Sequence, residues 1–260
     1  MTFGISLLAT IPVRKAPSEN SEMITQLLFG ETFKVIKDRD RYWSFIECTY
    51  DGYTGWISRN QITIISESDF EDMNGNTAIA AELYCPALSD GDSRYIPFGA
   101  SLPHFDEMTF SLDKHQFTYG GQVIFPERLN NKIPILEKLS RKFLHTPYLW
   151  GGRSSFGIDC SGFVQVIFKA LGVWLPRDTN QQVHHGEVVD FASQAEPGDL
   201  VFLRAHYKTN VSHVGIVLNK KVIIHASGKV RIDRFDHYGI FNEDEGRYTH
   251  LMVVIKRLLT

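Results

Sequence analysis

Three cysteines occur in the chain, and one of them, Cys160 in "GIDCSGFVQVIF", stands where a helix begins. Phe163, Val166, Ile167, Ala170 and Leu171 recur at i, i+3 and i+4, Asp159 suits an N-cap, and Gly172 with Pro176 ends the run. The pattern predicts a helix with Cys160 in its first turn. The unpaired N–H groups and the positive dipole end of such a turn favour a thiolate over a thiol. A free cysteine titrates near about 8.5, and a helix N-terminus with a neighbouring imidazolium lowers this to roughly 3.5–7.5. The expected chemistry is nucleophilic attack; the competing reading is a small buried hydrophobe, and Cys48 in "FIECTY" and Cys85 in "LYCPAL" are taken that way.

A nucleophile of this kind needs a base. Downstream, "VSHVGIVL" and "KVIIHASG" alternate as two strands around a polar turn at Asn219, Lys220 and Lys221. Val214, Ile216 and Leu218 share one face and His213 the other; Val222 and Ile224 face the core and His225 points away from them. With a three-residue turn the paired residues sum to an even register, and both histidines fall on one exposed face as diagonal neighbours, about 7–8 Å apart between Cα atoms. A two-residue turn puts them on opposite faces. On one face, one imidazole can take the thiol proton while the second fixes its tautomer. His145, His184, His185, His206, His237 and His250 lack such a context and are read as surface or structural residues.

The elements that must position these groups come last in the chain. Residues 1–66 alternate short β-branched and aromatic runs with turn signals and read as a small all-β unit; "MTFGISLLATIPVR" lacks a basic start and a cleavage site and reads as a strand. Residues 67–125 are again strand-rich, and "IPFGASLP" echoes "LLFGETFKV" as a degenerate repeat. Residues 126–260 change character, opening on a helix with Pro134 in its first turn and Ile135, Leu136, Leu139 and Phe143 on one face. With 260 residues, 43% hydrophobic residues and a net charge of −3, scattered charges leave no footprint for nucleic acid or an anionic membrane surface. No apolar run is long enough to span a bilayer. Odd cysteine content without disulfide spacing favours a reducing cytoplasm.

"YLWGGRSSFGIDCSGFV", "LPRDTNQQ", "PGDLVFL", "SHVGIVL" and "IIHASG", in that order, resemble the NlpC-type cysteine peptidases, papain-like enzymes that cleave murein peptides. "APSENSEMITQLLFGE" and "YDGYTGWI" resemble bacterial SH3-like domains, found in tandem before the catalytic domain of γ-D-glutamyl-diamino-acid endopeptidases. The resemblance implies an α+β fold: two small SH3-like barrels, then a papain-like domain whose nucleophile-bearing helix packs on an antiparallel sheet. It makes Cys160 the nucleophile, His213 the base and His225 the orienting third residue. Tyr148, twelve positions before the cysteine, is similar to a family tyrosine aimed at the reacting centre, and Trp150 lines the same groove. The N–H of Cys160 is a plausible oxyanion donor on physical grounds as well.

The substrate so implied is a murein peptide with a free L-Ala ammonium, which needs carboxylates and acceptors when desolvated. The endopeptidase subgroup is similar in using Asp178, Thr179 and Ser161, with Glu22 and Tyr53 from the first SH3-like domain restricting one end of the groove. For Asp178 the alternatives are an ion pair with Arg177 or a loop cap; for Glu22, a solvated charge; for Tyr148 and Trp150, core aromatics. No cofactor or metal is expected, and the implied protein is a cytoplasmic monomer acting in murein peptide recycling. Three other readings remain: zinc held by Cys160, His213 and His225; a secreted hydrolase of intact wall; and a wall-peptide-binding module with a relict catalytic domain.

Overall fold

The computed structural model describes residues 1–73 and 77–259, so the expected boundary at residue 260 lies outside the described residues. The chain divides into two compact units: residues 1–128 with 150–155, and residues 129–149 with 156–259.

In the first unit, β1 (Thr2–Ile5), β2 (Thr10–Arg14), β3 (Met23–Leu28), β4 (Thr32–Asp38), β5 (Trp43–Cys48), β6 (Thr54–Ser58) and β7 (Thr63–Ile65) form one antiparallel sheet in the order β3-β2-β6-β5-β4-β1-β7. Alternation decides what they bury: Ile11 and Val13 of β2 and Ile46 and Cys48 of β5 face a core with Leu27, Phe33 and Ile57. A helix, α1 (Glu67–Met73), then interrupts the strands, where the sequence reading had only β structure. Its signal is an N-capping serine: Ser66 Oγ accepts from the Asp69 N–H (3.1 Å) and donates to the Asp69 carboxylate (2.6 Å).

There follow β8 (Thr77–Ala80), β9 (Tyr84–Ser89), β10 (Asp92–Pro97), β11 (Ser101–Pro103), β12 (Thr109–Leu112), β13 (His115–Tyr119) and β14 (Val123–Ile124), in sheets ordered β10-β9-β13-β12 and β11-β8-β14. Their core is completed by the first segment, since Phe3, Ile5, Leu7 and Phe29 pack with Ile96, Phe110, Phe117 and Tyr119 in one cluster. The Phe29 ring meets Phe110 and Phe117 edge-on at 6.1 and 5.6 Å. The two "FG" stretches share a turn. Gly30 and Gly99 both adopt positive φ (75° and 83°) and donate back to the end of an earlier strand, Gly30 to Ser6 just past β1 and Gly99 to Ala80 at the end of β8. In each case the next residue donates to the carbonyl three positions earlier, Glu31 to Leu28 and Ala100 to Pro97.

The second unit opens with α2 (Lys132–Lys142), which buries Leu136 and Leu139, with Phe143 buried just beyond it. After the two-residue strands β15 (Arg153–Ser154, in the first unit) and β16 (Gly157–Ile158) comes α3 (Cys160–Ala170), capped by Asp159 and ended by Gly172 at φ 70°. A short α4 (Thr179–Gln182) follows. The sheet then comprises β17 (Glu187–Val189), β18 (Leu200–Ala205), β19 (His213–Asn219), β20 (Val222–Ser227), β21 (Lys229–Phe235), β22 (Gly239–Asn242) and β23 (Arg247–Arg257) in the order β17-β23-β18-β19-β20-β21-β22. Because β22 also pairs with β23, the strands β18 to β23 close into a ring. α3 packs on β19 and β20. Overall the molecule is mostly β, with four short α-helices among the described residues.

Candidate active site

Cys160 begins α3 because Asp159 takes the N-cap geometry and accepts from the Gly162 N–H at 2.7 Å. The same carboxylate is gripped bidentately by the buried Arg177, at 3.0 and 2.6 Å, and Arg177 also donates to Ser161 Oγ at 2.9 Å. Arg177 thus anchors the N-cap carboxylate of the helix that carries Cys160. Gln182, fully buried, donates to the carbonyls of Ser161 and Pro176 and ties α4 to the helix start.

Cys160 is 6% exposed, and its thiol contacts Thr179 Oγ1 at 3.8 Å and receives the N–H of Val214 at the start of β19. Burial, seconded by the Asp159 charge, pushes its pKa up to about 11, against the hydrogen bonds from Thr179 and Val214 and the Arg177 charge. Burial thus works against the depression expected at a helix tip and favours the protonated thiol.

Val214 follows His213, so the thiol lies at the head of the histidine strand. His213 Nε2 and His225 Nδ1 are 2.7 Å apart, and His225 Nε2 is 2.8 Å from Asp233 Oδ2. The register that brings the rings together is even, as required (Gly215 opposite His225), but the turn is not the three-residue one expected. Asn219 pairs with Val222 around a two-residue turn, and a β-bulge between Val217 and Asn219 shifts the register by one. Nor is the histidine face exposed. His213 and His225 are 5% and 1% exposed, because alternation sets them on the same face as Val217, Ile223 and Phe235, which the closed ring buries.

Burial, then the charges of His250 and His225, hold the His213 pKa well below 6.5, leaving a neutral ring able to accept a proton. His250, read from sequence as a surface or structural residue, stacks on His213 with centroids 4.2 Å apart and planes 23° apart. Its own pKa is lowered to about 4, chiefly by burial. Sequence reasoning also missed Asp233 and Arg231, although Asp233 lies on β21 diagonal to His225 and their common parity was the available signal.

The other expected site residues divide between the units. Tyr148 is half-buried in the second unit, its backbone bridged to Ile158; burial and the nearby Cys160 and Asp159 raise its pKa, so the hydroxyl keeps its proton. Ser161 is buried within the Arg177–Asp159 cluster, Thr179 touches the thiol, and Asp178 occupies the N-cap position of α4 with its carbonyl receiving the N–H groups of Gln181 and Gln182. Trp150, Glu22 and Tyr53 belong to the first unit. Trp150 is 60% exposed and donates from Nε1 to Glu22 at 2.8 Å, and Lys15 meets the other Glu22 oxygen at 3.2 Å. The Trp150 and Lys15 hydrogen bonds lower the Glu22 pKa. Tyr53 packs against the β-core formed by Ile11, Ile46 and Ile57. Of the cysteines read as structural, Cys48 is buried and Cys85 is only partly so. Among the described residues, no group of three or more His, Cys, Asp or Glu side chains is arranged to hold a metal ion.

A thiol at a helix tip, set beside a strand that begins a hydrogen-bonded chain of imidazoles ending on a carboxylate, defines a cysteine-peptidase type of site. Residues 145–244 match the NlpC/P60 family, and residues 13–62 match the bacterial dipeptidyl-peptidase SH3 domain. A γ-D-glutamyl-L-lysine dipeptidyl-peptidase of Bacillus cereus (strain ATCC 10987) is 30% identical over 237 residues, covering 79% of this chain and 68% of the relative. The protein of the same name from Bacillus subtilis (strain 168) is 29% identical over 222 residues, covering 78% of this chain and 71% of the relative. The crystal structure of an NlpC/P60 family protein from Bacillus cereus ATCC 10987 superposes with a TM-score of 0.84 at 20% identity, covering 99% of this chain and all of that one. The chain belongs to the NlpC/P60 family of cysteine peptidases and carries a bacterial SH3 domain.

Proposed function

We propose that the protein hydrolyses the γ-D-Glu–L-diamino acid bond of murein stem peptides with a free N-terminal L-Ala, in murein peptide recycling in the cytoplasm. The observation that carries the chemistry is the run from the Cys160 thiol past Val214 to His213, His225 and Asp233. The two dipeptidyl-peptidase relatives support the choice of bond.

In this reading the Cys160 sulfur attacks the γ-carbonyl as its proton passes to neutral His213, and His225 holds that ring. The Cys160 N–H and the protonated Tyr148 hydroxyl stabilise the oxyanion. His213 then protonates the leaving amine, and water, deprotonated by the same ring, hydrolyses the γ-glutamyl thioester and regenerates the thiol. Asp178, Thr179 and Ser161 are assigned to the peptide's amino end by the resemblance, as are Glu22 and Tyr53, and Trp150 by the same resemblance to the lining of the groove. Glu22→Ala and Tyr53→Ala then raise KM for free-amino peptides. We also propose that residues 67–125 are a second, diverged SH3-like segment, a reading that the repeated turn at Phe29-Gly30 and Phe98-Gly99 supports.

The test is release of the diamino acid from L-Ala-γ-D-Glu-L-Lys and from its N-acetylated form. The wild type is expected to cleave the free peptide and spare the acetylated one, and Cys160→Ala to abolish turnover. Equal cleavage of both peptides overturns the free-amine specificity, and activity in Cys160→Ala overturns the mechanism.

A further inference from the structure

The imidazole pair does not end at its second ring. Asp233, 5% exposed, receives His225 Nε2 on Oδ2 at 2.8 Å, and Arg231 grips both its oxygens, Nε at 2.6 Å and Nη2 at 2.8 Å. Arg231 is in turn held by Asn242 Oδ1 at 3.1 Å and Asp244 Oδ2 at 2.9 Å. Burial opposes ionisation of Asp233, but the hydrogen bonds and charges of His225 and Arg231 outweigh it and keep the carboxyl below its ordinary value.

A carboxylate has acceptors only, so the ring nitrogen facing it must carry a hydrogen. The neutral tautomer of His225 that carries its proton on Nε2 presents a lone pair at Nδ1. The 2.7 Å contact to His213 Nε2 then requires the hydrogen to belong to His213. The lone pair of His213 is therefore left on Nδ1, the nitrogen not engaged with His225. We propose that Asp233, clamped by Arg231, is a positioning residue that sets the tautomers of both histidines and so makes His213 a base for the thiol. This rests on the peptidase reading of Cys160 and His213. The other titratable groups around the pair are His250, stacked on His213, with His206 and Glu245 beyond it.

Long-range proton–nitrogen correlation on 15N-histidine-labelled wild-type protein reads the tautomers directly. Both His213 and His225 are expected as Nε2–H forms; an Nδ1–H form of His225 overturns the proposal and needs no variant. In Asp233→Asn, whose amide can donate to His225 Nε2, the His225 proton is expected to move to Nδ1. There kcat for the γ-D-glutamyl peptide falls about 10- to 100-fold with KM unchanged, and Asp233→Glu recovers part of it. A purely structural Asp233 lowers Tm while leaving tautomers and kcat as they were, which overturns the proposal. Activity surviving in His213→Ala overturns the underlying peptidase reading, whereas inactive His213→Ala beside fully active Asp233→Asn overturns only the role of Asp233.

Discussion

At the scale of single residues, the site holds its reactants in their neutral forms. Cys160 sits at a helix tip, yet burial and the Asp159 carboxylate raise its pKa to about 11, while burial keeps His213 well below 6.5. The sign follows for each group. An acid with a raised pKa retains its proton through neutral pH, and a base with a lowered pKa remains unprotonated there, so both shifts favour a neutral thiol–imidazole pair at rest. The proton moves only when the sulfur attacks. Iodoacetamide alkylation of Cys160, followed by mass spectrometry of its peptide, is therefore expected to be slow at pH 7 and to rise about tenfold per pH unit up to pH 10. A rate already at its plateau by pH 7 contradicts the neutral resting state.

Among the elements, the hairpin β19–β20 decides whether the site exists. Alternation in "SHVGIVL" and "IIHASG" made the face of each histidine legible, and the N-cap and closing glycine made α3 legible with its cysteine in place. The bulge between Val217 and Asn219 was not legible, because a bulge answers to cross-strand pairing rather than to local residue preference. Nor was the burial of the rings: it comes from β22 pairing with β23, an association between strands that no single strand announces. Asp233 and Arg231 reach His225 through ordinary β20–β21 pairing, and their shared parity was the signal overlooked, whereas His250 meets His213 only through the strand order β23-β18-β19. Between the two histidines lies Gly215, directly opposite His225. A β-carbon there meets Ile223 Cδ1 at 2.6 Å and His225 Cβ at 2.9 Å. Gly215→Ala is expected to cost about 1–3 kcal/mol by overpacking, measured by urea unfolding. It should also lower kcat by displacing His225, and unchanged stability and kcat contradict the close packing.

For the whole molecule, a six-residue stretch inside "YLWGGRSSFGIDCSGFV" belongs to a different unit from its chain neighbours. Residues 150–155 lie with residues 1–128, although Leu149 and Phe156 lie with the second unit. Within the first unit the loop is held by Arg153, which is 2% exposed and donates to Glu31 at 2.7 and 3.0 Å, while its Nη1 also meets the Gln26 carbonyl at 2.6 Å. The Gln26 side chain returns the contact by accepting the Arg153 N–H at 2.8 Å. Glu31 also receives the Leu28 N–H at 2.9 Å, so one ion pair joins the loop to the turn after β3. Removing either partner leaves an uncompensated buried charge, which costs more than the net worth of the intact pair. Arg153→Ala is thus expected to destabilise the first unit by about 3–5 kcal/mol. Arg153→Met together with Glu31→Leu, which removes both charges and retains apolar volume, should recover most of that loss. Native-state hydrogen exchange checks this by location: amides of β3 and β4 exchange faster in Arg153→Ala, and amides of β19 and β20 keep their wild-type protection. Uniform acceleration across both units, or a double variant no more stable than Arg153→Ala, contradicts a clamp that acts through its buried charges.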